Sequence, residues 1–456
     1  MSQIVRQGVK VNLSNLRFAC LSFVKNFVRD YFTTLNIIKG FFVGIFLSVF
    51  LVFHHFGLQN PFFYTPMPII GFYILFKEKS PVWFFSGFFV GLFWFYWIGF
   101  SFIYYGFAYL FPVACLFIAL GYGFIFLLPS LVVKNTWIRA FLLVAFVSFL
   151  PPFGFNWLDF RLLLLNTPFG LDYISLFAFI FFVLCLSTLK GYKKLFAVVF
   201  LLFSLNTKVD LAKNQLPFSI SLINSQIPQE DKWKKELTSQ FVRENIQKIN
   251  QAIKEKKEII IFPESAFTLF LNRIPKLMDM LEKKSQKITI ITGALTYENK
   301  KFYNSTYVFA DGKTSIFHKV ILVPFGEEIP MPNFLKKWIN EIFYEGAEDF
   351  STAKNPQDYQ IKGINIRNAI CFEATTSLLY KNKPKFMIAM SNNAWFTPSF
   401  EPLIQHLLLL LNANLNHTTI YHSVNGSKSE IIYPKQNPIL FDFLKEFDIL
   451  HARTDF

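Results

Sequence analysis

Apolar side chains dominate residues 35–206 in seven runs, at about 35–56, 61–76, 82–104, 107–133, 137–155, 169–189 and 192–206, and most of the polar residues lie between them. A helix needs about 20 residues to cross roughly 30 Å of hydrocarbon, so the runs predict about seven transmembrane helices. The second and seventh are short, and Pro66 and Pro68 make the second irregular. Beyond residue 206 the pattern changes to β-rich runs alternating with helical ones. Strands are predicted at about 218–223, 258–262, 288–292, 302–310, 315–318, 361–370, 386–391, 419–424 and 429–433. Helices are predicted at about 234–254, up to Leu281, and at 401–416. The chain therefore divides into a basic amphipathic segment (1–34), a transmembrane domain (35–206) and an α/β domain (207–456).

Charge sharpens this division. Of 45 Lys and Arg and 30 Asp and Glu, residues 1–206 hold 14 and 4, leaving 31 and 26 for the remainder. Only 16% of the 456 residues are charged, against about 25% in a soluble protein, and 53% are hydrophobic, which excludes a disordered chain. Most of the net charge of +15 thus sits in the apolar half, where membrane topology explains it better than nucleic-acid binding does. With the N-terminus inside, the inner loops hold Lys77, Lys79, Lys134, Arg139, Lys190, Lys193 and Lys194, and the outer loops only Arg161. Seven spans then place residues 207–456 outside the cytoplasm, which in a Gram-negative cell is the periplasm. The first 34 residues carry Arg6, Lys10, Arg17, Lys25 and Arg29 and read as an uncleaved start lying partly on the membrane surface.

Within the spans, Gly87 and Gly91 form a small-xxx-small pair suited to helix packing, and Trp94, Phe95, Tyr96 and Trp97 read as an interfacial aromatic belt. Asp159, Arg161 and Asp172 read as a solvated loop, with the lining of an entry path for a lipid headgroup as the alternative. The histidines offer no convincing metal-ligand spacing, and no metal or cofactor is expected.

Cysteine usage gives the first chemical clue. Cys20, Cys115 and Cys185 lie in the apolar half as small apolar residues, whereas Cys371 stands alone in the α/β half. In an oxidising compartment it is either a buried passenger or a thiol kept for its chemistry. The run Ile364–Ile370 reads as a buried strand and Ala374–Tyr380 as a helix, so Cys371 sits at a strand-to-helix turn, where a helix N-terminus would favour the thiolate. A thiol nucleophile needs a base and an oxyanion partner. Glu264, after Ile259–Pro263, lies at a strand end against an apolar wall that would raise its pKa, and Lys319 follows another strand.

Four ordered segments then carry a resemblance: Phe262-Pro-Glu-Ser-Ala266, His318-Lys-Val-Ile-Leu-Val-Pro-Phe-Gly-Glu327, Cys371-Phe-Glu373 and Ser391-Asn-Asn-Ala-Trp-Phe396. Together they resemble the signature blocks of the nitrilase superfamily and, with seven preceding spans, Asp231-Lys-Trp233 and Asn425-Gly426, its membrane-anchored branch, apolipoprotein N-acyltransferase. The resemblance implies a nitrilase-like four-layer αββα sandwich on a multi-helix membrane base. It implies Glu264 as general base, Lys319 as oxyanion partner and Cys371 as nucleophile. Glu327 and Glu373 would support the site, and Trp233 would lie on a flexible segment over the pocket. It further implies acyl transfer from a phospholipid, through a cysteine thioester, to the α-amino group of a diacylated apolipoprotein, by a bilayer-embedded enzyme expected to be a monomer without nucleic-acid partners. Phe372 departs from a tyrosine common in the family, the helix at 401–416 lacks the usual arginines, and no final apolar run follows the last strands. The competing readings are a membrane-tethered amidase or hydrolase, with water in place of the amine, and a non-enzymatic scaffold.

Overall fold

The computed structural model describes residues 29, 32–58, 60–104, 106–208, 213–324, 326–328, 349–435 and 437. The expected N-terminal surface segment lies almost wholly outside them. Helix occupies part of each of the seven apolar runs. Three stretches, Thr34–His55, Ser80–Tyr104 and Ala108–Val132, are long and apolar enough to cross a membrane. Thr136–Phe149 has 14 residues, about 21 Å at 1.5 Å per residue, and Phe196–Ser204 is shorter still. The second run breaks between Tyr64 and Pro66, since the two short helices there each begin with proline.

The helices pack through small residues and rings. A Cβ on Gly87 would lie 2.3 Å from the Tyr122 carbonyl oxygen and one on Gly91 would lie 2.7 Å from the Tyr122 Cβ, so the glycines bring Ser80–Phe95 and Phe111–Val132 into close contact. The expected aromatic belt is mostly internal instead: Trp94, Phe95 and Trp97 are buried. Trp94 Nε1 donates to the Leu47 carbonyl and Ser48 Oγ, at 3.2 and 3.1 Å, which spends its polar edge inside the bundle. The loop expected to be solvated is also largely buried at Asp159 and Arg161, whose fork-to-fork ion pair closes at 2.7 Å with each side chain 13% exposed. Asp172 remains open and caps the helix Tyr173–Thr188 through the Ser175 N–H.

In the α/β half, among the described residues, β1 (Ile220–Leu222), β2 (Asn224–Ser225), β3 (Ile259–Ile261), β4 (Phe267–Phe270), β5 (Thr289–Glu298), β6 (Lys301–Ala310) and β7 (Lys313–His318) precede β8 (Asp358–Ile361), β9 (Ile364–Ile370), β10 (Phe386–Asn392), β11 (Thr419–Asn425) and β12 (Glu430–Ile432). One sheet runs β1-β3-β5-β6-β7, with β4 against β5, and the other β12-β11-β10-β9-β8, with β2 against β11. In the first sheet β1, β3 and β5 run parallel while β5, β6 and β7 pair antiparallel, and in the second β9, β10 and β11 run parallel.

Strand alternation builds the layers. Ile259 and Ile261 join Ile388 and Met390 in a core between the sheets, while Ile260 and Phe262 pack outward with Ile249 and Leu281 of the helices Lys235–Lys254 and Pro275–Ser285. On the other sheet Met387 and Ala389 face outward onto Leu409 and Ala413 of the helix Glu401–Asn416. The opposite face of that helix sends Ile404, Leu407, Leu408 and Leu411 into the core of the membrane helices. The αββα sandwich is thus present, and its fourth layer is sandwiched between sheet and membrane bundle, which explains why that helix is apolar on two faces.

Candidate active site

The C-terminal ends of β3, β7 and β9 gather the candidate residues. Glu264 follows β3 by three positions and is buried. Its backbone crosses β5 so closely that a Cβ on Gly293 would lie 2.5 Å from the Ser265 nitrogen and 2.8 Å from the Glu264 Cα. Lys319 leaves β7 fully buried, its N–H donating 2.9 Å to the Asn304 carbonyl on β6. Its ammonium lies 3.9 Å from Glu264 Oε1 and 2.5 Å from Glu327 Oε2. Asn304 Nδ2 donates to both carboxylates, at 2.7 Å to Glu264 and 3.0 Å to Glu327. Two carboxylates therefore share one lysine and one amide.

Electrostatics follow from this crowding. Burial raises the Glu264 pKa, with Lys319 opposing and Glu327 adding to the rise. For Lys319, burial disfavours the charge, but Glu327 and Glu264 outweigh it and hold the pKa above the ordinary lysine value. The lysine stays cationic.

Cys371 follows β9 with φ +56° and opens a 3-10 turn, Cys371–Thr375. The expected helix over Ala374–Tyr380 is two such turns, because Thr375 and Thr376 send their hydroxyls back to the Phe372 and Glu373 carbonyls, both at 2.8 Å. The expected thiolate-favouring helix end is correspondingly absent. Burial instead pushes the Cys371 thiol well above its usual pKa, helped by the negative charge of Glu264 and opposed by Lys319. The thiol rests protonated, and a base is needed to activate it.

Glu373 ties the two sheets together at this point. Its Oε2 accepts from the N–H of Val320 and Ile321, at 2.6 and 3.0 Å, and its Oε1 from that of Ile370, at 2.8 Å. The segment after Lys319 is thereby clamped to the turn that carries Cys371. Burial lifts this carboxyl to about 7 despite Lys319 and the three N–H groups.

Phe372 faces away from this cluster, into the membrane helices. It stacks on Phe155 at 5.7 Å and 6° and on Trp157 at 6.2 Å, and Trp157 Nε1 donates to Thr375 Oγ1 at 2.9 Å. Trp97 meets Phe396 at 4.8 Å beside it. Trp233, 43% exposed, lies apart from the packed cluster at the end of the short helix Gln229–Lys232.

Sequence reasoning missed four residues. Asn304 bridges the carboxylates, and Gln405 brings Nε2 within 3.9 Å of Cys371 Sγ. Lys232 is buried, with its pKa lowered to about 8 by burial and partly restored by Glu264. Glu401 is buried within electrostatic reach of Glu264 and Cys371. Lys232 stood in the quoted motif Asp231-Lys-Trp233, but helical facing and burial decided its role and that of Gln405. Among the described residues no group of three or more His, Cys, Asp and Glu side chains is placed to hold a metal ion.

Comparison with known proteins bears on the family of the chain. Residues 34–207 match the apolipoprotein N-acyltransferase integral membrane domain. The apolipoprotein N-acyltransferase of Wolinella succinogenes is 41% identical over 396 residues, covering 86% of this chain and 95% of that protein. Its counterpart from Campylobacter jejuni is 36% identical over 437 residues, covering 94% and 96%. Among solved structures, a CN-hydrolase superfamily protein from Xanthomonas campestris aligns with 13% identity and a TM-score of 0.35, over 52% of this chain and 97% of its own. An amidase of the nitrilase superfamily from Nesterenkonia sp. AN1 aligns with 11% identity and a TM-score of 0.36, over 53% and 99%. With relatives this similar over nearly their whole lengths, the chain belongs to the apolipoprotein N-acyltransferase family.

Proposed function

We propose that this protein transfers an acyl chain from a phospholipid, through a thioester on Cys371, to the α-amino group of the S-diacylglyceryl cysteine that begins an apolipoprotein. Its α/β half, residues 207–456, would face the periplasm from a base of about seven helices in a bacterial inner membrane. The observation that carries this reading is the position of Cys371 between two environments. On one side stand the buried Glu264, Lys319 and Glu327. On the other, the adjacent Phe372 is packed into the core of the membrane helices. A soluble amide needs only the first, whereas an acyl ester needs its reactive carbonyl at the polar cluster and its chain in apolar surroundings.

In the first half-reaction Glu264 takes the thiol proton as the sulfur attacks the ester carbonyl, and Lys319 stabilises the developing oxyanion. On collapse the lysophospholipid oxygen leaves with the proton from Glu264, and the acyl group stays on sulfur. In the second, the lipoprotein amine attacks the thioester, Glu264 accepts its proton and returns it to the departing sulfur. Glu327 neutralises Lys319 between turnovers, and Glu373 keeps the Lys319 segment in register with Cys371. The test is incubation of the purified protein with phospholipid and a synthetic S-diacylglyceryl lipopeptide. A triacylated lipopeptide and an equal amount of lysophospholipid are expected. Free fatty acid without acylated peptide would replace this reading with hydrolysis.

A further inference from the structure

The helix Glu401–Asn416 presents one polar strip to the thiol. Gln405 reaches Cys371 Sγ at 3.9 Å, and Glu401, four residues earlier, lies on the same helical face, one turn nearer the N-terminus. Gln405 is held by Asn393, whose Nδ2 donates to its Oε1 at 3.0 Å. Two acceptor oxygens flanking this strip, Glu401 Oε2 and Asn393 Oδ1, are buried with no hydrogen-bond partner among the described residues. Glu401 is 2% exposed and Asn393 1%. Orphaned acceptors at this depth are costly and call for a donor that arrives from outside. A group with several N–H donors and a positive charge fits them best.

Resting on the proposed acyl transfer, we infer that Glu401, on the helical face that Asn393 holds through Gln405, binds the α-ammonium group of the incoming lipoprotein and takes one of its protons to make it nucleophilic. The second half-reaction needs such a group. An ammonium must lose one proton to become an amine and another on forming the amide, and Glu264 carries only the second. With no cation present, burial keeps the Glu401 carboxyl neutral, and Glu264 reinforces this. Ammonium binding releases the Glu401 proton to solvent. Transfer of an ammonium proton to the carboxylate then leaves a neutral amine beside a neutral acid. The amine attacks the thioester, its remaining surplus proton passes through Glu264 to the Cys371 sulfur, and the next ammonium resets Glu401.

The test separates the two half-reactions. In Glu401→Gln a neutral amide replaces a neutral acid, so the phospholipid-derived acyl adduct on Cys371 should form at a rate within about twofold of the unaltered protein. Discharge of that adduct by an S-diacylglyceryl lipopeptide should slow at least about tenfold, the scale of a lost charge-assisted contact. Discharge by hydroxylamine, which is uncharged at neutral pH, should be unchanged, and Glu401→Asp should restore part of the lipopeptide rate. Equal lipopeptide discharge in Glu401→Gln and the unaltered protein would overturn the inference, and so would equal slowing with both nucleophiles, which marks a structural role. Absence of any adduct in the unaltered protein would instead overturn the underlying acyl-transfer reading.

Discussion

Replacing Lys319 with Met removes the one cation that, among the described residues, pairs with both buried carboxylates. At an effective dielectric of about 20, its contacts of 2.5 Å with Glu327 and 3.9 Å with Glu264 correspond to about 7 and about 4 kcal/mol of attraction before desolvation is counted. Much of that attraction offsets the cost of burying the ions, and truncating one partner of such a cluster costs about 3–5 kcal/mol net. For an α/β unit of this size the loss corresponds to a fall of roughly 6–20 °C in Tm. Burial raises the Glu264 pKa and Lys319 opposes that rise, so without Lys319 its carboxyl shifts further toward the neutral form and Glu327 is left as the uncompensated charge. The double variant Lys319→Met with Glu327→Gln should therefore recover most of the lost Tm. Acylation of Cys371 should be absent from both variants, because neither holds the oxyanion. Thermal unfolding in detergent and intact-protein mass spectrometry after incubation with phospholipid measure the two effects. An unchanged Tm in Lys319→Met, a double variant no more stable than the single, or an acyl adduct in either would refute this reasoning.

Three further outcomes follow from neighbouring contacts. Glu264 must ionise to accept the thiol proton, and its raised pKa places the rising limb of the acylation rate above the ordinary carboxylate range. The Lys232 cation favours ionised Glu264, so Lys232→Met should move that limb to higher pH in a profile of adduct formation, and a limb that stays put or moves down would contradict it. Gly293→Ala would drive a Cβ to 2.5 Å from the Ser265 nitrogen, so it should lower acylation at least about tenfold through displaced Glu264 while far-ultraviolet circular dichroism stays near that of the unaltered protein. Phe372→Ala opens a cavity against Phe155 and Trp157, and a loss of about 3–5 kcal/mol should appear in urea unfolding of the detergent-solubilised protein.

Much of this fold was legible because its strands are buried on both faces. Ile259–Ile261, Phe386–Asn392 and Thr419–Asn425 are continuous buried runs, and each was located within a few residues. Glu264, Lys319 and Cys371 were legible as residues just beyond such runs. What pairing alone decides was hidden: β2 has two residues and β4 four, and both exist only as partners of longer strands. The turns after Cys371 carry helix-like apolar spacing, but threonine hydroxyls compete for the backbone there. The tryptophans at 94 and 97 look interfacial in sequence, but Trp94 spends its N–H on the distant Leu47 carbonyl and Trp97 on the nearby Trp94 carbonyl, and both lie inside. Glu401 and Lys232 resemble surface charges until the packing of both halves encloses them.

The most direct test of the central claim is mass spectrometry of the intact purified protein after incubation with phospholipid, beside Cys371→Ser. The account predicts a gain of one acyl chain on the unaltered protein alone, removed by hydroxylamine and discharged onto an S-diacylglyceryl lipopeptide. An adduct that persists in Cys371→Ser, or triacylated peptide formed by that variant, would contradict it.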